Sequence, residues 1–102
     1  MMNIEVILSP ALLHLSDISS KNVVVIDILR ATSTICTAIH EGAEAVKAVK
    51  DVEQAKALGV QGYITAAERN GQKIDGFDMG NSPFECMNGA VLGKKIALTT
   101  TN

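Results

Sequence analysis

The sequence predicts an α/β fold with a parallel or mostly parallel sheet built through βαβ crossovers. Three observations carry that prediction. The apolar period switches repeatedly between the strand type and the helix type, so the two kinds of element alternate along the chain. Residues 22–29 form a nearly continuous β-branched and apolar run, which suits a strand covered on both faces. Helix boundaries are also marked: Asp51 with Gln54, and Ser82-Pro83 with Glu85, resemble capping signals, while Gly42 and Gly59 stand where helices would stop.

In order, residues 4–8 read as a first short strand closed by Ser9-Pro10, and residues 22–29 as a second, central one. After Arg30 the spacing becomes helical, with Ile35, Ala38 and Ile39 on one face. Residues 45–49 give a third strand, and Val52, Ala55 and Leu58 the buried stripe of a second helix. Residues 63–66 give a fourth strand. Residues 67–82, "AERNGQKIDGFDMGNS", hold three glycines and little periodicity, so they are expected to be a long, functional loop. Ser82 then caps a further helix, and residues 94–99 form the last strand.

Composition narrows the function. At 102 residues the chain has room for one hydrophobic core. Tyr63 is the single tyrosine and there is no tryptophan, so stacking platforms for single-stranded nucleic acid are scarce. Nine Lys and Arg against eleven Asp and Glu, with no basic stripe, argue against a phosphate-backbone partner. The apolar runs are too short for a membrane span and the start lacks a signal-peptide pattern, so a cytoplasmic protein is expected. Cys36 and Cys86 lack metal or redox spacing and read as reduced, packed thiols.

In open parallel sheets ligands bind beyond the carboxyl ends of the strands, and the polar residues cluster there. Asp27, Arg30, Thr32, Ser33 and Thr34 follow the second predicted strand, Glu68 and Arg69 the fourth, and Thr99, Thr100, Thr101 and Asn102 the fifth. A helix N-terminus with hydroxyls and a guanidinium suits a phosphate or sulfonate. Asp27, Glu68 and Asp78 are hard oxygen ligands of the type that holds Mg²⁺, and anion pocket plus carboxylates points to phosphoryl chemistry.

Each feature has a plainer alternative. Thr32 or Ser33 could be an N-cap, Asp27 and Arg30 an ion pair, Glu68-Arg69 a solvated turn before Asn70-Gly71, and Gly76, Gly80 and Pro83 turn chemistry. His14 and His40 read as structural. The Cys-plus-Arg phosphatase spacing, the paired-Asp signature of haloacid dehalogenases, the P-loop and the receiver-domain pattern are all missing from the sequence.

Together, "VVVIDILRATSTI", "AERNGQKIDGFDMGNSP" and "IALTTTN" resemble, in order and spacing, the 2-phosphosulfolactate phosphatase family, the Mg²⁺-dependent phosphatases of coenzyme M biosynthesis. The resemblance implies a three-layer α/β/α fold in full-length members and hydrolysis of 2-phospho-3-sulfolactate to 3-sulfolactate and inorganic phosphate. Asp27, Glu68 and Asp78 fall in its motif blocks, and their residue type makes them the candidate catalytic or Mg²⁺-binding carboxylates. Arg30, Thr32, Ser33, Thr34, Arg69, Asn81, Ser82, Thr100, Thr101 and Asn102 would contact a small phosphorylated sulfonate. Family members are about twice as long, so residues 1–102 are expected to form a single domain, the N-terminal half of a longer phosphatase, and a homo-oligomer. A phosphate- or sulfonate-binding module and an inactive fragment remain the alternatives.

Overall fold

The computed structural model describes residues 1–101 and joins four strands in one sheet of order β1-β4-β2-β3. These are β1 (Ala45–Ala48), β2 (Ile64–Arg69), β3 (Gln72–Lys73) and β4 (Lys95–Thr99). β4 lies between β1 and β2 and is parallel to both, while β3 is antiparallel to β2, so the sheet is mostly parallel, as expected. Two helices accompany it, α1 (Ala31–His40) and α2 (Val52–Val60).

The alternation of side chains along the strands decides where the helices sit. Ile96 and Leu98 of β4 and Ala66 of β2 join one buried cluster with Met79, Cys86, Val91 and Ala38 of α1. Ala97 of β4 and Ala67 of β2 join a second cluster with Phe77 and Ala55 of α2. The helices therefore cover opposite faces. β1, α2 and β2 make one βαβ unit across β4, which links the sheet topology directly to the predicted crossover.

Local chemistry accounts for the helix ends. Asp51 Oδ1 accepts from the Gln54 N–H at 2.9 Å, and Gln54 Oε1 accepts from the Lys50 N–H at 3.1 Å. Gly42, just past α1, has φ +88°, the left-handed conformation of a helix C-terminus. Gly59 differs from expectation because α2 continues to Val60. A Cβ there would lie 2.6 Å from Thr65 Cγ2, so the glycine lets α2 approach the sheet instead of ending the helix.

Three other expectations need correction. Residues 4–8 and 22–29 carry no strand, and the predicted central run is solvent-facing, with Val24 80% exposed. A ladder belongs to two segments, and no backbone hydrogen bond engages residues 22–26 among the described residues. Residues 67–82 are not one loop: β2 continues to Arg69, and Asn70 and Gly71, at φ +54° and +77°, turn the chain into β3. The helix expected after Ser82 is a four-residue 3₁₀ turn, Pro83–Cys86, followed by Asn88 and Gly89 at positive φ. No helix among the described residues is long and apolar enough to cross a membrane.

Leu98, 3% exposed in the central strand, tests this core. Leu98→Ala is expected to lower unfolding free energy by about 2–5 kcal/mol in urea denaturation, the range for a cavity in a packed core.

Candidate functional site

Parallel strands leave the loops after their carboxyl ends on one rim, and hydrogen bonds show which residues meet there. Glu68, 8% exposed near the end of β2, accepts from the Gly71 N–H through Oε2 at 2.7 Å. Its Oε1 accepts from the Thr101 N–H at 2.8 Å, just past β4. Arg69 donates to the Glu68 carbonyl at 2.7 Å and to Thr99 Oγ1 at 3.2 Å. Arg30 donates to the Gly71 carbonyl at 3.4 Å. Thr34 Oγ1, at the buried side of α1, donates to the Asn81 carbonyl at 3.2 Å. The three separated blocks of sequence thus converge.

The local fold of residues 27–34 differs from an open anion pocket. Asp27 Oδ2 accepts from the Ala31 N–H at 3.3 Å, and the Asp27 carbonyl accepts from the Thr32 N–H at 3.0 Å. The Thr32 hydroxyl donates to that same carbonyl and Ser33 Oγ donates to the Ile28 carbonyl at 2.7 Å. The Thr34 N–H donates to the Arg30 carbonyl. All three hydroxyls are engaged by backbone acceptors, so they stabilise the entry to α1.

Asp78 stands apart. Its Oδ2 accepts from both the N–H and the hydroxyl of Thr65, each at 2.8 Å. Thr65 lies three residues before Glu68 on β2, roughly 10 Å at about 3.3 Å per residue. Asp78 instead borders an open depression of about 430 Å³ lined also by Ile64, Met79, Glu85 and Ala90. Among the described residues no three His, Cys, Asp or Glu side chains group to hold a metal ion. Asp27, Glu68 and Asp78 are therefore not gathered in one cluster among the described residues.

Of the remaining expected contacts, Asn81 is 4% exposed and its Oδ1 has no hydrogen-bond partner among the described residues. The Ser82 N–H donates to Glu85, whose carboxylate also accepts from the Gly80 N–H at 3.0 Å. Thr100 is half-buried at the strand end, and Asn102 lies outside the described residues. Gly71 and Glu85 were not among the candidates. The Asn-Gly pair and the Ser-to-Glu cap spacing were the signals that could have found them.

Charge at the rim is arranged unevenly. The Thr101 N–H, aided by the Gly71 N–H, holds the Glu68 carboxyl below the usual carboxylate range despite the opposing effect of burial. The Thr65 N–H and hydroxyl do the same for Asp78. By contrast, the recorded ion pairs are Lys21–Glu5, Lys56–Glu53 and Lys95–Glu44, so neither Arg30 nor Arg69 has a carboxylate partner within ion-pair distance among the described residues.

Comparison with known proteins agrees with the motif blocks. The family described as 2-phosphosulpholactate phosphatase matches residues 7–102. A Thermotoga petrophila protein named "Probable 2-phosphosulfolactate phosphatase" is 46% identical over 99 residues, covering 97% of this chain and 42% of its own length. A Caldanaerobacter subterraneus protein of the same name is 51% identical over 90 residues, covering 84% of this chain and 37% of the relative. A Clostridium tetani namesake is 42% identical over 104 residues, with 99% and 45% covered. The chain thus spans about two fifths of the length of these curated relatives.

The lowered carboxyls set the acid behaviour of the fold. Because Glu68 and Asp78 bind protons less readily when folded, the unfolded chain binds more protons in acid, and stability falls as pH falls. Their contribution is complete above the ordinary carboxyl values, about 4, and disappears as pH drops through the lowered folded values. Urea midpoints measured from pH 7 to pH 2 are expected to hold steady and then decline below about pH 4.5. Glu68→Gln and Asp78→Asn should each flatten that decline while lowering stability near pH 7.

Proposed function

The chain belongs to the 2-phosphosulfolactate phosphatase family, and from that membership we propose that its rim binds and hydrolyses a small phosphate monoester, 2-phospho-3-sulfolactate. The products would be 3-sulfolactate and inorganic phosphate, which fits a place in coenzyme M biosynthesis in the cytoplasm. The supporting observation is that two half-buried guanidiniums, Arg30 and Arg69, flank one turn with neutral oxygen acceptors only. Such forks match phosphate and sulfonate oxygens, and this ester carries one group of each kind.

Hydrolysis adds a water oxygen to phosphorus and breaks the ester bond, whose alkoxide leaves with a proton. Arg30 and Arg69 would orient the two anionic ends and offset the charge that develops on the phosphoryl oxygens. Asp27, half-buried beside the first turn of α1, is the carboxylate best placed by sequence to accept a proton from water. Mg²⁺, when bound, would be held by Asp27 together with the substrate and would supply charge that offsets repulsion between the ester and the carboxylates. The ungathered carboxylates favour a second possibility, an anion-binding module without turnover of its own.

Self-association is part of the same proposal. Val23, Val24, Val25 and Ile26 are all more than half exposed and unpaired, which is the composition of an adhesive strand. Sedimentation velocity is expected to show concentration-dependent association that Val24→Lys weakens. A monomer at all concentrations would count against it.

Phosphate release from 2-phosphosulfolactate, with and without Mg²⁺, should be compared for this chain and a full-length family member. Metal-dependent release is expected from the full-length protein. Replacing the arginine matching Arg30 or Arg69 by Ala should lower kcat/KM about 10- to 100-fold, the scale of a lost charged hydrogen bond. Anion binding by this chain with no release from either protein would favour the module.

A further inference from the structure

We infer that Glu68 is a positioning residue, a latch whose carboxylate ties the Asn70-Gly71 turn to the end of β4 and so sets where Arg30 and Arg69 present their charge. The inference rests on the anion-handling role proposed for the rim. It assigns Glu68 a task different from the metal ligation that its residue type suggests.

Both carboxylate oxygens are aimed at backbone donors from different segments. Oε2 takes the Gly71 N–H at 2.7 Å and Oε1 takes the Thr101 N–H at 2.8 Å. Gly71 then passes the constraint onward, because its carbonyl accepts from Arg30 at 3.4 Å. One carboxylate thereby connects the block before α1, the hairpin turn and the end of β4. Arg69 adds a second staple across the same two strands through Thr99 Oγ1 at 3.2 Å. A cation at Glu68 would have to compete with two N–H groups already directed at the carboxylate. No other pair of carboxyl, thiol or imidazole groups joins it in a ligand cluster among the described residues.

Charge and geometry make the latch specific to glutamate. A glutamine has one acceptor oxygen, and its NH₂ would point at one of the two N–H donors. An aspartate is shorter by one methylene and cannot keep both bonds without moving a strand end. The turn is equally particular, since Gly71 holds φ +77°.

The full chain, labelled with ¹⁵N, should be titrated with inorganic phosphate and separately with Mg²⁺, following the Gly71 and Thr101 amides and the arginine side-chain signals. In the unsubstituted protein phosphate alone is expected to move both arginine signals. Glu68→Gln should shift both amides and the Arg30 signal, speed amide exchange at Gly71 and Thr101 at least tenfold, and weaken phosphate binding about tenfold. Thr101→Pro, at the chain's edge, removes one donor while keeping the Glu68 charge, and should reproduce the Arg30 shift if Glu68→Gln fails to fold. An unchanged Gly71 amide and phosphate affinity within twofold in either variant would overturn the latch. So would Mg²⁺ moving the Gly71 and Thr101 amides in the unsubstituted protein but not in Glu68→Gln. If phosphate fails to bind the unsubstituted chain, the anion-binding function falls, and the Arg30 signal in the two variants still decides whether Glu68 sets its position.

Discussion

A buried carboxylate held between two strand ends is the interaction on which the rim depends. Glu68 is almost inaccessible, and its charge is met by the N–H groups of Gly71 and Thr101 instead of by a cation. An ionised group in that position is tolerated only when such donors are fixed, because stripping water from a charge without replacement costs several kcal/mol. The sheet supplies them for a topological reason. β2 and β4 are parallel neighbours, so their carboxyl ends finish side by side and the amides two residues beyond each strand lie within reach of one side chain.

The same constraint explains why the hairpin matters to chemistry. Asn70 and Gly71 adopt the left-handed conformations of a two-residue turn, which points the Gly71 N–H back at Glu68 and leaves its carbonyl for Arg30. A long flexible loop at this place could not fix a guanidinium that belongs to a different block of sequence. Thr32, Ser33 and Thr34 act in parallel: by donating to the carbonyls of Asp27, Ile28 and Asn81 they fix the start of α1, from which Arg30 projects. The polar cluster is therefore mostly scaffold, and its chemical faces are few.

Much of the fold was legible because it is written in local signals. The helical spacing after Arg30, the Asp51–Gln54 cap and the alternating residues of β4 each specify structure within a few neighbours. The run at Val23 was legible as a preference but not as a strand, since pairing requires a second segment that no local pattern names. Gly59 was misassigned because a glycine after an apolar stripe looks like a stop, whereas here the deciding contact is Thr65 on another element. For the site, the convergence of Glu68, Arg69 and the terminal threonines followed from strand topology, whereas Arg30 reaches the rim without the strand predicted before it, through the Gly71 carbonyl. The separation of Asp78 did not, because its partner Thr65 lies thirteen positions away in sequence and nothing in the "DGFDMG" turn announces it.

Glu68 and Arg69 are adjacent in sequence, and simple charge pairing would join them and quench both. The strand prevents it: successive side chains leave opposite faces, so Glu68 shares its face with Ala66 and Arg69 shares its face with Ala67. Each charge then finds neutral partners, backbone amides for the acid and the oxygens of Glu68 and Thr99 for the base. The acid occupies the two amide donors that meet it. The base is restrained by oxygens that leave its charge intact. In a protein of formal charge −2, this partition lets a rim that contains carboxylates keep two guanidiniums without a carboxylate partner among the described residues.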